Sequence, residues 1–194
     1  MLYLVESKKI IIVGIAGVGK TSVVSSVVEI LRSKNKNVNV CSFGSIMLDE
    51  AKKKGVENRD ELRKLSVSEQ KDLQATAAKS IANMDDDIVI IDTHAFISTK
   101  AGFYPGLPYN VLEIIKPVNF ILISANPEEI YNRRMKDDSR NRDIISVAAI
   151  KKELDISNAM ISSCSVLCGS PMNMILNSEG KVEEVANAIV NAIG

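Results

Sequence analysis

The feature that most constrains this chain is an octapeptide at residues 14–21, which reads Gly-Ile-Ala-Gly-Val-Gly-Lys-Thr. The β-branched run from Lys9 to Val13 precedes it and predicts a buried strand. Lys20 to Ser33 follows with apolar residues at helical spacing, which predicts an amphipathic helix. A loop with this spacing of glycine, lysine and threonine binds phosphate when it connects a strand to a helix. The sequence therefore predicts a phosphate-binding loop, or P-loop.

The residue types in this loop suit a nucleoside triphosphate with magnesium. Glycines let backbone N–H groups face phosphate oxygens, and the helix N-terminus adds partial positive charge there. We expect Lys20 to reach the β- and γ-phosphates and the hydroxyl of Thr21 to ligate Mg²⁺. The residues predicted to bind the donor ATP are Gly14, Ile15, Ala16, Gly17, Val18, Gly19, Lys20, Thr21 and Ser22.

Short apolar runs alternate with helical segments along the rest of the chain. The runs at residues 38–43, 88–91, 119–123 and 172–177 join the first strand to make five. Helices are expected within 45–83, after an Asn126 cap, at 146–167 and at 182–193. This alternation predicts an α/β fold with a five-stranded, parallel, doubly wound sheet. The length of 194 residues suits a single domain.

The charge balance argues against general attraction to polyanions. Basic and acidic residues each number 24, so the formal net charge is zero, and we expect no nucleic acid or membrane partner. No apolar run approaches the roughly 20 residues that span a bilayer, and residues 1–15 lack the order of a signal peptide. We therefore expect a cytoplasmic protein.

Two polar residues follow the apolar run at 88–91. Asp92 falls where doubly wound sheets place their ligands, so it is a candidate for holding Mg²⁺ directly or through water. A helix or turn cap is the alternative for Asp92. His94 is the single histidine, and either a structural hydrogen bond or a direct chemical role would explain it.

Six of the seven arginines occur in two groups. The first predicts stabilisation of a transferring phosphoryl group, against the alternative of a solvated charged helix. The second lies four residues apart on one helix face and predicts an acceptor-phosphate site, against the alternative of surface salt bridges. The first group is Arg133, Arg134, Arg140 and Arg142, and the second is Arg59 and Arg63.

These features together resemble the archaeal-type adenylate kinases, a branch of the P-loop nucleoside monophosphate kinases, nearly from end to end. The resemblance rests on five separate motifs in order, at residues 14–20, 59–67, 92–94, 105–108 and 140–143. The chain departs from the family pattern at Ala16, where proline is usual, at Ser45, where an acidic residue is common, and at Ser98, where a basic residue is common.

The resemblance implies a helical monophosphate-binding lobe at residues 44–82, a short lid at 134–143, a homotrimer, and the Mg²⁺-dependent reaction of ATP with AMP to give two ADP. It also implies that Arg63 binds the AMP phosphate with Arg59 nearby, and that Gln74 lies near the AMP base. Asp92 is predicted to belong to the AMP-binding site as well as to hold Mg²⁺. The arginines of the lid would close over the phosphoryl groups.

Three other functions fit parts of the pattern, and the first is a kinase for a nucleoside monophosphate other than AMP. A small-molecule kinase acting on a hydroxyl group would use Asp92 as its base. A nucleotide-dependent switch or assembly factor would hydrolyse ATP slowly and act through conformation. A phosphate acceptor is already ionised at neutral pH and needs cations rather than a base, so the arginines favour a nucleoside monophosphate kinase.

Overall fold

The computed structural model describes residues 7–99, 102–136 and 146–194, without the side chains at positions 59, 60 and 63. The strands are β1 (Lys8–Val13), β2 (Val38–Ser42), β3 (Ile88–Thr93), β4 (Phe96–Thr99), β5 (Gly102–Pro105), β6 (Asn119–Ser124) and β7 (Met172–Leu176). The helices are α1 (Lys20–Ser33), α2 (Phe43–Lys52), α3 (Arg59–Lys64), α4 (Val67–Ala82), α5 (Tyr109–Ile115), α6 (Pro127–Met135), α7 (Val147–Cys168) and α8 (Val182–Ile193).

The centre of the fold is a five-stranded parallel sheet in the order β2-β3-β1-β6-β7, which confirms the predicted architecture. The strand β1 pairs with β3 on one side and β6 on the other, and its residues Ile10 to Val13 are fully buried. Continuous apolar runs form such strands because helices cover both faces of the sheet.

The two faces of the sheet carry different helices. Residues of α1 and α8, such as Val27 and Ile189, pack in one apolar cluster. Residues of α2, α4, α5 and α7, such as Leu73 and Ile161, pack in the other. Each fully buried aliphatic side chain contributes roughly 1.5–3 kcal/mol, so the two clusters stabilise the packing of the helices on both faces of the sheet. Among the described residues, no helix is both long and apolar enough to cross a membrane.

Side-chain caps fix where three helices begin. Ser66 and Glu69 form a reciprocal capping box at the start of α4. Asn126 accepts the N–H of Glu128 at the start of α6, and Ser146 accepts the N–H of Ala149 at the start of α7. Such caps satisfy backbone N–H groups that lack partners within the helix. All three helix starts agree with the sequence prediction.

The elements in the segment after β3 are not predicted by the sequence pattern. The strands β4 and β5 form an antiparallel hairpin, in which the rings of Phe96 and Phe103 meet edge to face with centroids 4.9 Å apart. The helix α5 follows and buries Leu112. Each of these elements spans seven residues or fewer, which is too short for a clear periodicity. The predicted strand at 38–43 also ends one residue early, because Phe43 begins α2.

Candidate active site

The P-loop connects the end of β1 to the start of α1. Gly17 and Gly19 adopt left-handed backbone conformations, with φ of 89° and 83°. The side chains of Ile15 and Val18 point into the apolar core and are 7% and 0% exposed. The two apolar residues therefore anchor the loop, while the glycines allow its backbone to turn toward the helix N-terminus.

Close contacts explain two of the glycines. A Cβ on Gly14 would lie 2.8 Å from Cγ2 of Val18 and 2.9 Å from the carbonyl oxygen of Ile123. A Cβ on Gly19 would lie 2.5 Å from Nδ2 of Asn177. Real Cβ atoms do not approach other atoms this closely, so any larger residue would displace the loop or its neighbours.

Lys20 lies at the start of α1 and turns back toward the sheet. Its ammonium group pairs with the carboxylate of Asp92 and donates a hydrogen bond of 3.1 Å to the carbonyl oxygen of Thr93. Parallel pairing of β1 with β3 places Asp92 opposite Ile12, so adjacent strand ends deliver both partners. The Lys20 side chain is 11% exposed, which places a positive charge with limited hydration next to the loop.

Thr21 and Asp92 line a common cleft with a volume of about 390 Å³, which follows α1 toward the edge strand β2. A hydroxyl and a carboxylate are the hard oxygen donors that Mg²⁺ prefers. The two predicted metal ligands thus fit an Mg²⁺ that is also bound by nucleotide phosphates.

The thiol of Cys41 lies on β2, close to this cleft. Burial raises its pKa to about 11, and the nearby Asp92 carboxylate acts in the same direction. The thiol is therefore protonated at neutral pH, and only a thiolate would be a nucleophile. Cys41 contributes packing rather than covalent chemistry.

Arg133 and Arg134 of α6 contact the P-loop through its backbone. The Nε of Arg134 donates to the carbonyl oxygen of Ala16 at 2.9 Å, and its Nη2 donates to Glu153 at 2.9 Å. The Nη1 of Arg133 donates to the carbonyl oxygen of Gly17 at 3.4 Å. The Arg134 side chain is 12% exposed, so the alternative of a merely solvated helix does not describe it.

The remaining arginines and most of the predicted lid are not described. Arg140 and Arg142 lie outside the described residues, and the described part of the lid ends at Lys136. Arg59 and Arg63 belong to α3 on the predicted monophosphate-binding lobe, but their side chains also lie outside the described part. Their roles remain predictions.

Gln74 lies on α4 of the same lobe. It is 3% exposed, and its Oε1 atom is buried with no hydrogen-bond partner among the residues that the structure describes. A buried amide oxygen without a partner is costly, and such an atom calls for an explanation. The predicted place of Gln74 near the AMP base stays a prediction.

His94 lies close to the first glycine of the loop. Its Nδ1 atom is 3.3 Å from the carbonyl oxygen of Gly14, at hydrogen-bond distance. This contact joins the segment after β3 to the P-loop, which supports the structural alternative for the single histidine.

Sequence reasoning missed Asn177, which follows β7. Its Nδ2 donates to the carbonyl oxygen of Val18 at 2.7 Å, although the two residues are 159 positions apart. Asn177 is 2% exposed. The sequence prediction counted Asn177 as the last residue of the strand at 172–177, whereas β7 ends at Leu176. An amide at the end of an apolar run is equally typical of a turn, so the pattern gave no sign of the contact with the P-loop.

The chain is similar in sequence to a known protein family and to several curated proteins. A family model described as an AAA domain matches residues 13–151. The adenylate kinase of Thermoplasma acidophilum is 44% identical over 184 residues, covering 94% of this chain and 97% of the relative. The adenylate kinase of Sulfurisphaera tokodaii is 41% identical over 189 residues with the same coverage, and that of Methanocaldococcus jannaschii is 35% identical over 190 residues, covering 97% and 99%.

Two solved structures share the fold at low sequence identity. Shikimate kinase from Aquifex aeolicus aligns with a TM-score of 0.55 at 17% identity, covering 95% of each chain. A sugar kinase from Janibacter sp. HTCC2649 aligns with a TM-score of 0.57 at 12% identity, covering 95% of this chain and 93% of the other. These two show the fold alone. Since the P-loop, the strand-end Asp92 and the five-stranded sheet occur in a chain that matches curated adenylate kinases along nearly its whole length, it belongs to the adenylate kinase family.

Proposed function

We propose that this protein catalyses the reversible, Mg²⁺-dependent transfer of the γ-phosphoryl group of ATP to AMP, giving two ADP. The observation that carries the proposal is the P-loop with Lys20 beside Asp92 at the carboxyl end of a parallel sheet, in a chain 44% identical to an adenylate kinase. Doubly wound sheets bind their ligands at this edge.

The donor side uses residues of the P-loop. Backbone N–H groups of the loop and the N-terminus of α1 would bind the phosphates of ATP, and Lys20 would donate to their oxygens. Thr21 and Asp92 would hold Mg²⁺, with Asp92 binding directly or through water. The metal supplies charge neutralisation on the phosphates.

The acceptor side needs positioning rather than a base. The phosphate of AMP is already ionised at neutral pH, so Arg59 and Arg63 would bind and orient it. The buried, unpartnered Oε1 of Gln74 would suit an N–H donor such as the exocyclic amine of adenine, but cytosine and guanine carry such amines too. The proposal of AMP as the acceptor therefore rests on the similarity to curated adenylate kinases.

The arginines of α6 and the lid, Arg133, Arg134, Arg140 and Arg142, would stabilise charge on the transferring group. Closure of the lid would exclude water and so limit hydrolysis of ATP. On family resemblance we further propose that the protein is a cytoplasmic homotrimer.

The test is an acceptor panel. Purified protein is incubated with ATP, Mg²⁺ and each of AMP, CMP, UMP and GMP, and the nucleotides are separated by chromatography. The expected result is ADP formed at twice the rate of ATP loss, with AMP as the preferred acceptor. Lys20→Ala is the matched control, since it removes the phosphate-binding cation and should abolish turnover.

Each rival function has its own outcome in this panel. Slow formation of ADP that is independent of any monophosphate would indicate an ATPase switch. Phosphorylation of a sugar or hydroxy acid, with no nucleotide accepted, would indicate a hydroxyl kinase. Near-normal turnover by Lys20→Ala would refute the assignment of the donor site.

A further inference from the structure

Three consecutive carbonyl groups of the P-loop accept hydrogen bonds from side chains. Arg134 donates to Ala16, Arg133 donates to Gly17, and Asn177 donates to Val18, at 2.9, 3.4 and 2.7 Å. The contact from Asn177 is the shortest of the three. The two donors on α6 are arginines that already have a predicted role, whereas Asn177 has none.

The contact at Val18 determines the direction of the next N–H group. The peptide bonds of the loop are trans, so the carbonyl group of one residue and the N–H group of the next point in opposite directions. Asn177 is 2% exposed, so the Val18 carbonyl points into the protein. The N–H group of Gly19 therefore points outward at the N-terminus of α1, and helix N-termini favour the binding of anions.

Asn177 is itself held rigidly. Its N–H donates to the carbonyl oxygen of Ser124 at 2.8 Å, and its own carbonyl oxygen accepts from Nη2 of Arg133 at 3.2 Å. A Cβ at position 19 would lie 2.5 Å from its Nδ2, so the amide is seated directly against Gly19. The side chain has little room to move away from the loop.

Stability alone does not explain an amide at this position. The Oδ1 atom of Asn177 is buried and has no hydrogen-bond partner among the described residues. A buried polar atom without a partner destabilises the folded state. The favourable contact of this side chain is therefore the hydrogen bond that its Nδ2 donates to the P-loop.

We propose that Asn177 is a positioning residue for the donor nucleotide: by holding the Val18 carbonyl, it keeps the Gly19 N–H directed at the phosphate site. The proposal deepens the proposed function, because it rests on the binding of a polyphosphate at the P-loop. It predicts that loss of the amide weakens binding of the phosphate chain and leaves the acceptor unaffected.

The test compares Asn177→Leu with a matched control. Leucine has nearly the shape of asparagine, but it lacks both the donor and the unpartnered oxygen. The control is Asn119→Leu, since Asn119 is also buried and its Nδ2 donates to the carbonyl oxygen of Ala192 at 3.0 Å. Asn119 begins β6, at the amino-terminal end of the parallel strands, whereas the P-loop lies at their carboxyl end. Asn177→Ser is a second variant, smaller and polar, in case the leucine does not fold.

Three quantities are measured for each variant: the dissociation constants of MgATP and of inorganic tripolyphosphate by calorimetry, the KM for each substrate, and the melting temperature. Asn177→Leu should raise both dissociation constants and the KM for ATP about tenfold, as expected if the hydrogen bond from the Gly19 N–H to the phosphates is lost. The KM for AMP should stay within about twofold, and Asn119→Leu should leave donor affinity unchanged.

The outcomes separate this proposal from the proposed function. Unchanged donor affinity in folded Asn177→Leu and Asn177→Ser would overturn the role of Asn177 alone. A loss of affinity for ATP but not for tripolyphosphate would also overturn it, because the base rather than the phosphates would be affected. A wild-type chain that binds neither ligand would overturn the proposed donor site and this proposal with it.

Discussion

Replacing Arg134 with methionine should lower the stability of the fold. Arg134 connects three parts of the molecule, since it lies on α6 and donates both to the Ala16 carbonyl of the P-loop and to Glu153 of α7. Its side chain is 12% exposed and that of Glu153 is 25% exposed. Methionine keeps most of the apolar stem and removes only the guanidinium group.

The magnitude follows from these two contacts. A hydrogen bond from a charged donor contributes roughly 1.5–3 kcal/mol. The ion pair adds about 0.5–1 kcal/mol, a low value because water still reaches Glu153. The free energy of unfolding should therefore fall by roughly 2–4 kcal/mol. In a domain of this size, 1 kcal/mol shifts the melting temperature by about 2–4 °C, so Tm should fall by roughly 4–16 °C.

The assay is chemical denaturation of the wild type, Arg134→Met, Glu153→Gln and the double variant. Because Glu153→Gln breaks only the ion pair, it should cost about 1 kcal/mol or less. The double-mutant cycle then isolates the coupling between the two side chains. Arg134→Lys is a further control: it keeps the charge but lacks the planar fork that reaches two acceptors. An unfolding free energy of Arg134→Met within about 0.5 kcal/mol of the wild type would refute the reasoning.

Three further predictions concern other parts of the chain. Gly19→Ala should weaken ATP binding and lower the free energy of unfolding by at least about 1–2 kcal/mol, because Gly19 has a φ of 83° and the new Cβ would meet Asn177. Calorimetry measures the first effect and denaturation the second, and a variant equal to the wild type in both would contradict the prediction. Cys41 has its pKa raised from 9.0 to about 11 by burial, so its contribution to stability is present below pH 9 and is lost as the pH rises through 11. Between pH 8 and pH 10.5, the free energy of unfolding should therefore fall less in Cys41→Ala than in the wild type. Equal falls in the two proteins would contradict this contribution of Cys41. Ser66→Ala should lower the unfolding free energy by about 1 kcal/mol through loss of the capping box with Glu69, and an unchanged melting curve would exclude this contribution.

Local sequence patterns were sufficient to predict the main elements of the fold. The helix α1 begins at Lys20 and ends at Ser33, as its apolar periodicity predicted. The five strands of the parallel sheet follow five apolar runs, and the caps at Ser66 and Asn126 mark helix starts. These features depend on residues within a few positions of one another, so the sequence contains the necessary information.

Elements too short to show a clear periodicity were not predictable in this way. The β4–β5 hairpin and α5 have no strong pattern of their own, and α5 packs against α4 and α7, which are distant in sequence or follow it. The close approach of Gly106 to the His94 carbonyl, where a Cβ would lie 2.0 Å away, exists only in the folded chain.

By itself, the sequence determined that the chain has a P-loop, which residues begin α1, and that Asp92 lies near the carboxyl end of a buried strand. The tertiary structure decided which groups surround that loop. The pairing of β1 with β3 places Asp92 against Lys20, 72 residues away, and Arg134 reaches Ala16 across 118 residues. Asn177 reaches Val18 across 159 residues. Loop and helix signals arise from neighbouring residues, whereas these contacts depend on strand order and on helix packing that involve the whole chain.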